Sequence, residues 1–325
     1  MERNSPPQLG VKLWLEECNP TQSEKWHQRQ KIVIEKHLLP AIGYMKVTEL
    51  KQFHLQMLIN SKAKHGYAMG TMKQIKQTAT RILDVAIQSE SIVRNVFDKV
   101  KVPFVPPKER QALTVDQIKL VNETWETHYM GCPAMIMMYC GLRRGELCAL
   151  LWKDVDLIRD TITVNKAIEV FTNQSIVKEP KSKAGFRTIP IPKKLHDVLA
   201  QVKGNDEDLV CPTRHGKLMT ETAWACGWRS YMNHLNICSG GKLSTRSRKR
   251  VQVISEFSAH MLRHNYATML YAAGVDVLTA QKYLGHSDPA TTLRIYTHLK
   301  KTMAEDDRQK VIDLFGGDIG LAAVI

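Results

Sequence analysis

No stretch of this 325-residue chain approaches the ~18 consecutive apolar residues that cross a bilayer. The first residues, MERNSPPQLG, contain no apolar segment of the signal-peptide kind. Cys-x-x-Cys pairs are missing as well, and the seven cysteines, at positions 18, 132, 140, 148, 211, 226 and 238, are odd in number. Together these absences argue against a membrane-embedded protein and a secreted disulfide scaffold, and they leave little basis for a zinc site. The expectation is a cytoplasmic protein whose thiols are reduced and mostly buried. Acid is also in short supply: 32 Asp and Glu face 46 Lys and Arg, a net charge of +14. Such an excess favours a polyanion, because lysines and arginines that neutralise phosphates release condensed counterions.

What is present divides in two. Residues 8–100 show helical spacing throughout. Thr21-x-x-Glu24 is a capping box, and Trp26, Gln30, Val33 and His37 follow it, with Pro40 and Gly43 as stops. Thr48 is placed to cap a second helix with Leu50, Phe53, Met57 and Leu58 on one face, and Ile75, Ala79, Ile82, Leu83, Ala86 and Ile87 mark a third. Lys62, Lys64, Lys73, Lys76 and Arg81 lie on the polar faces, where they serve either as ordinary solvated charge or as a DNA-facing side. Residues 101–110 form a basic linker whose three prolines favour extended chain.

Residues 111–325 read as a second, larger domain. Thr114-x-x-Gln117 is a capping box. The apolar run Pro133–Cys140 predicts a buried helix closed by Gly141, and Leu142-Arg143-Arg144-Gly145-Glu146-Leu147 follows directly. An arginine on so rigid a support suits an anion clamp; Arg143 paired with Glu146 would equally make a structural salt bridge. From Asp160 to Pro192 the period changes to that of strands, with Phe186–Ile191 as an edge because of its prolines. Lys178–Gly185 reads as a basic turn of that sheet. Trp224, Trp228, Tyr231 and Leu235 make a core stripe, and Ser239–Arg250 a basic loop. Three helices follow from Phe257, separated by Gly274 and by Ser287-Asp288-Pro289, with Tyr296 near the end of the last. The closing residues turn apolar, from Val311 to Ile325, and need somewhere to dock.

Taken jointly, Gly-Leu-Arg143-Arg-Gly-Glu-Leu, Pro-Lys181-Ser-Lys183-Ala-Gly-Phe-Arg-Thr-Ile-Pro, His260-Met-Leu-Arg263-His, Leu-Gly-His286-Ser and Ile-Tyr296-Thr-His resemble the tyrosine recombinase (phage integrase) family. Order and spacing both fit, with 23 residues from Arg263 to His286 and 10 from His286 to Tyr296. The resemblance implies a two-domain DNA clamp, mainly α with a small antiparallel β-sheet: a helical core-binding domain and a catalytic domain. It implies a site-specific recombinase of a phage or integrative element, working through a 3′-phosphotyrosyl link and a Holliday junction. Tyr296 would be the nucleophile, Arg143 and Arg263 the phosphate clamp, His260 the general base and His286 a phosphate hydrogen-bond partner. The lysine that protonates the leaving oxygen falls on Lys181 or Lys183; Lys181 follows Pro180, as in many relatives. Neither metal, ATP nor any other cofactor is implied, since phosphodiester and phosphotyrosine are of similar energy. The implied partners are paired sites on double-stranded DNA, three further copies in a tetramer, and accessory DNA-bending or directionality proteins.

Three other readings meet specific objections. His260 and His264 at i, i+4 would fit a zinc hydrolase, but Met261 stands where that pattern needs Glu, and no third ligand is evident. A type IB topoisomerase would share the residue set without the integrase-like layout. A DNA-binding protein that has lost catalysis would not keep the whole set. One departure from the resemblance is that the first helical domain starts too early to leave room for the arm-binding domain of many phage integrases.

Overall fold

Residues 24–106, 112–171, 174–180, 183–243 and 251–302 are described in a computed structural model of the chain. The chain divides into two compact units, Met1–Glu109 and Arg110–Ile325, each with its own apolar core.

Among its described residues the first unit has helices and no strand. Helix α1 (Glu24–Val33) passes through a π turn (Ile34–Leu38) into α2 (Leu39–Ile42), so Pro40 does not stop the helix as its sequence predicts. The wider turn explains this: Leu39 N–H bonds Ile34 O, five residues back, and Pro40 enters in the first turn of α2, where its missing donor costs nothing. Gly43 does close the element, its N–H bonding Leu39 O. Thr48 lies inside a short 3₁₀ turn (Val47–Glu49), and α3 (Gln52–Lys64) is capped at Lys51, whose N–H bonds His54 Nδ1. The buried face of α3 is Leu55 and Ile59, while Phe53 and Met57 are exposed, contrary to the expected stripe. Helix α4 (Met69–Gln88) buries Met72, Ile75, Ala79 and Leu83 as its period requires. Of the five basic residues, Lys64, Lys73 and Arg81 are exposed, Lys76 donates to Asp98 O and Lys62 covers the Tyr67 ring. The start of the linker is held to α3, with Gln56 exchanging hydrogen bonds with both Lys101 N–H and Lys101 O.

In the second unit, the Thr114–Gln117 capping box opens α5 (Val115–Glu123) with both reciprocal bonds present. Such a cap contributes about 1 kcal/mol. Helix α6 (Gly131–Cys140) is buried along nearly its whole length and ends at Gly141 in the left-handed conformation, φ 62°. A Cβ there would collide with the Tyr266 ring. Helix α7 (Arg144–Leu147) is a single turn. Among the described residues the strands form two small antiparallel sheets rather than one. The first has the order β1 (Val155–Asp156), β2 (Thr161–Val164), β5 (Arg187–Pro190), so β5 is an edge as its prolines require. The second is the hairpin of β3 (Ala167–Phe171) and β4 (Gln174–Lys178). Lys178 therefore belongs to a strand, where it pairs with Glu169, and among the described residues of that segment Lys183–Gly185 forms a turn.

Helices α8 (Lys193–Val202) and α9 (Glu221–Cys238) follow, with Trp224, Tyr231 and Leu235 of α9 buried in the core. Lys242 and Val251 pair across the basic loop, whose residues 244–250 lie outside the described set. The last three described helices are α10 (Ala259–Ala272), α11 (Val277–Leu284) and α12 (Pro289–Thr302). Asp276 caps α11 through Leu278 and Thr279 N–H, and Asp288 receives Ala290 N–H at the start of α12. Tyr296 sits mid-helix in α12, not near its end. The apolar tail lies outside the described residues. Among the described cysteines, Cys140, Cys148 and Cys211 are buried, Cys132 is half-buried, and Cys226 and Cys238 are exposed; none is in a disulfide.

Candidate active site

Three backbone carbonyls at helix ends organise the site. Gly141 follows the C-terminus of α6, while Leu284 and Gly285 end α11, with Gly285 also left-handed at φ 61°. Terminal carbonyls lack intrahelical donors and carry the negative end of the helix dipole, so they accept well from cations. Arg263, on α10, donates Nη1 to Gly141 O at 2.5 Å and Nη2 to Leu284 O. Arg143 donates Nη2 to Gly285 O at 2.6 Å. The two arginines therefore hold neighbouring carbonyls of one turn, although 120 residues separate them in sequence.

Arg143 is fixed at both ends. Its backbone is extended, at φ −72° and ψ 151°, and it precedes α7 as the cap residue. Glu146 reaches back to Arg143 N–H at 2.8 Å and takes the guanidinium Nη1 at 2.8 Å. The salt bridge that was one of two readings of this pair is thus present. It leaves the Arg143 side chain 41% exposed, whereas Arg263 is 3% exposed.

A third guanidinium, which the sequence reading did not single out, completes the cluster. Arg187 on β5 donates Nη1 and Nη2 to the two carboxylate oxygens of Glu146 at 3.0 and 2.7 Å. Burial alone would raise the Glu146 carboxyl; the hydrogen bonds and charge of Arg187, then Arg143, overcome it and hold the group down at about 2. The signal for Arg187 was available: alternation in Phe186–Ile191 sets Arg187 and Ile189 on the same, inward face, and an inward arginine needs a buried acid.

Three guanidiniums gathered round one carboxylate leave an excess of positive charge. Its effect shows on its neighbours. Burial, then Arg143, lowers Arg263 to about 9, so it stays cationic at neutral pH. Burial, followed by Arg263, Arg143, Arg187 and His260, lowers His286 to about 4, so its imidazole is neutral. His286 Nδ1 lies 2.8 Å from the fully buried Thr292 hydroxyl, and Gln281 donates to His286 O at 3.0 Å.

The predicted residues are not all assembled. Arg143, Arg263 and His286 share the cluster, with the exposed His260 close enough to act on His286. Lys183 is exposed at the start of its turn, and Lys181 lies outside the described residues. Tyr296 is buried, its ring edge-on to Tyr271 at 5.0 Å, and its hydroxyl donates to Val275 O at 3.1 Å. Burial, then the nearby Asp276, raises the phenol. Among the described residues, no group of three or more His, Cys, Asp or Glu side chains is positioned to hold a metal, and no helix is long and apolar enough to cross a membrane.

Known proteins share this layout. Residues 111–303 match the phage integrase family, and residues 11–63 match the phage integrase N-terminal SAM-like domain. The ICEBs1 integrase of Bacillus subtilis (strain 168) is 24% identical over 322 residues, covering 94% of this chain and 82% of that protein. The Tn1549 transposon integrase, solved with a circular intermediate DNA, superposes with a TM-score of 0.70 at 20% identity, over 94% of this chain and 99% of that one. The lambda integrase tetramer bound to a Holliday junction gives a TM-score of 0.63 at 16% identity, over 88% of this chain and 79% of that one. The family match spans the unit in which helix-end carbonyls orient two motif arginines beside His286, and on that ground the chain belongs to the phage integrase family and is a tyrosine site-specific recombinase.

Proposed function

We propose that the chain breaks and rejoins DNA through a 3′-phosphotyrosyl intermediate on Tyr296, exchanging strands by way of a Holliday junction. The observation that carries this is the pair Arg143 and Arg263, both oriented on helix-end carbonyls with guanidinium donors to spare for an anion. A phosphate gains negative charge in its transition state, and pre-oriented guanidiniums stabilise that charge without reorganising. Neutral His286 supplies a further hydrogen bond to the phosphate. His260 takes the phenol proton, and Lys181 protonates the leaving 5′-oxygen, with Lys183 as the other candidate. The excess positive charge of the cluster favours both phosphate entry and a tyrosinate. None of these steps calls for a cofactor.

In the same reading, residues 8–100 are the core-binding domain, 101–110 the linker and 111–325 the catalytic domain. The protein works in the cytoplasm on paired sites as a tetramer, assisted by DNA-bending or directionality proteins. The lambda integrase tetramer on a Holliday junction supports that assembly by analogy of fold. The apolar residues after Val311 make the contact between neighbours. Deleting residues 306–325 is expected to abolish paired-site complexes on native gels while leaving single-site affinity nearly intact; equal loss of both would contradict this contact.

The test of the chemistry uses a binding site selected from a random duplex library by the full chain and rebuilt with a nick next to the scissile phosphate. The expected result is a covalent protein–DNA adduct on denaturing gels, mapped to Tyr296 by peptide mass. No adduct on the selected site overturns the mechanism.

A further inference from the structure

We propose that Arg187 is a positioning residue that holds Arg143, the lysine-bearing turn and the His286 segment in one register. This rests on the phosphotyrosyl reading above.

The side chain is 1% exposed, and each edge of its guanidinium faces a different segment of the site. Nη1 and Nη2 take Glu146, the carboxylate that also holds Arg143 by backbone and side chain. Nη1 also donates to Gly185 O at 3.2 Å, at the end of the turn that follows Lys181 and contains Lys183. Nε donates to Tyr283 O at 2.7 Å, three residues before His286. Gly285 records how close the approach is: a Cβ there would lie 2.8 Å from Arg187 Nη1 and 3.0 Å from Ala184 O. The base is rigid, because Arg187 pairs with Val164 across β2 and β5.

Only arginine meets these demands together. Its planar fork presents five donors in fixed directions, whereas a lysine ammonium at the same depth reaches one of the three partners at a time. The second contribution is charge. Arg143 and Arg187 face Glu146 through hydrogen bonds, Arg263 acts on it by charge, and His286 lies beyond the arginines. Without Arg187, burial raises the Glu146 carboxyl against weaker opposition. A protonated Glu146 no longer holds Arg143 as an ion pair, so cleavage gains a dependence on that group as pH falls.

The experiment compares full-length wild type, Arg187→Lys, Arg187→Gln and the double variant Glu146→Gln/Arg187→Gln on the nicked selected site, by single-turnover adduct formation between pH 5.5 and 8.5. Affinity is read by gel shift. Arg187→Lys is expected to bind DNA almost as wild type does yet form adduct about a hundredfold more slowly, the scale of loss from an ångström-sized misplacement. Arg187→Gln is expected to be slow as well, with its rate relative to wild type falling further towards acid pH. The double variant replaces the buried ion pair with neutral groups of similar size, a change that folds commonly tolerate. It is expected to be slow without that acid dependence, which keeps the test open if either single variant does not fold. Wild-type adduct rates in Arg187→Lys or in the double variant overturn the proposal, and so does a parallel loss of binding and cleavage. No adduct with wild type strikes the phosphotyrosyl reading itself, an outcome distinct from these.

Discussion

Tyr296→Phe is expected to form no covalent adduct on the nicked site while binding it with unchanged affinity. The phenol oxygen is the atom that would attack phosphorus, and its removal leaves the arginine clamp and the histidines untouched. The structural cost is small: the variant loses the hydroxyl's hydrogen bond to Val275 O, worth about 1 kcal/mol. For a unit of this size that lowers the melting temperature by roughly 2–4 °C. Loss of the adduct with near-intact melting and binding thus separates nucleophile from scaffold. An adduct surviving in Tyr296→Phe would move the nucleophile to another tyrosine, Tyr283 or Tyr266 first. Tyr266 is a poor substitute, since it is buried against Gly141 and its phenol is raised by that burial.

The same geometry says what must precede attack. The Tyr296 hydroxyl gives its one proton to a carbonyl in the α10–α11 connection, while the arginines are anchored at the ends of α6 and α11. A phenol held on a carbonyl, with its pKa raised by burial and Asp276, is not activated for attack. Under the proposed chemistry the hydroxyl exchanges Val275 for the phosphate and a base before it reacts.

The legible parts of this protein were those in which local pattern and packing agree. The wholly apolar run of α6, closed by Gly141, forms a buried helix because no polar face competes for exposure. The Ser287-Asp288-Pro289 break opens α12 as its pattern requires, because the Asp288 side chain supplies the acceptor that the first N–H groups need. Phe53 and Met57 misled because they are spaced like a helical stripe. Leu55 and Ile59 form a rival stripe on the same helix, and periodicity cannot say which one meets the core. Pro40 misled because a π turn absorbs the break through a hydrogen bond one residue longer than the pattern assumes. In the site, Arg143, Arg263 and His286 were readable from short motifs in order. Arg187 was readable only as an inward-facing arginine of β5, because its acidic partner is 41 residues away and no local spacing names it. The resting contact of Tyr296 was likewise invisible, since it depends on how α12 packs beside the connection that contains Val275.

Glu146→Ala is expected to lower stability by about 3–5 kcal/mol, because it strands a buried arginine rather than removing a whole ion pair. In a unit of this size that is roughly a 10 °C drop in melting temperature. Among the described residues, Arg187 would then keep the carbonyls of Gly185 and Tyr283 as partners for its buried charge, and Arg143 would lose two of its described hydrogen bonds. The effect carries a definite pH signature. The folded-state pKa of Glu146, about 2, lies below its ordinary value of 4.5. Its contribution is therefore fully present above about pH 4.5 and lost as pH falls through 2, an amount of ~3 kcal/mol for a shift of this size. Melting temperatures of wild type and Glu146→Ala should differ most near neutrality, draw together as pH falls below about 4.5, and converge only towards about pH 2, where the wild-type carboxyl also ceases to carry charge. Glu146→Gln should fall between them, because the amide keeps the volume and one acceptor but not the charge. A melting difference that stays constant from pH 7 down to the acid limit would show that Glu146 acts by packing and not as the anion binding Arg187 to Arg143.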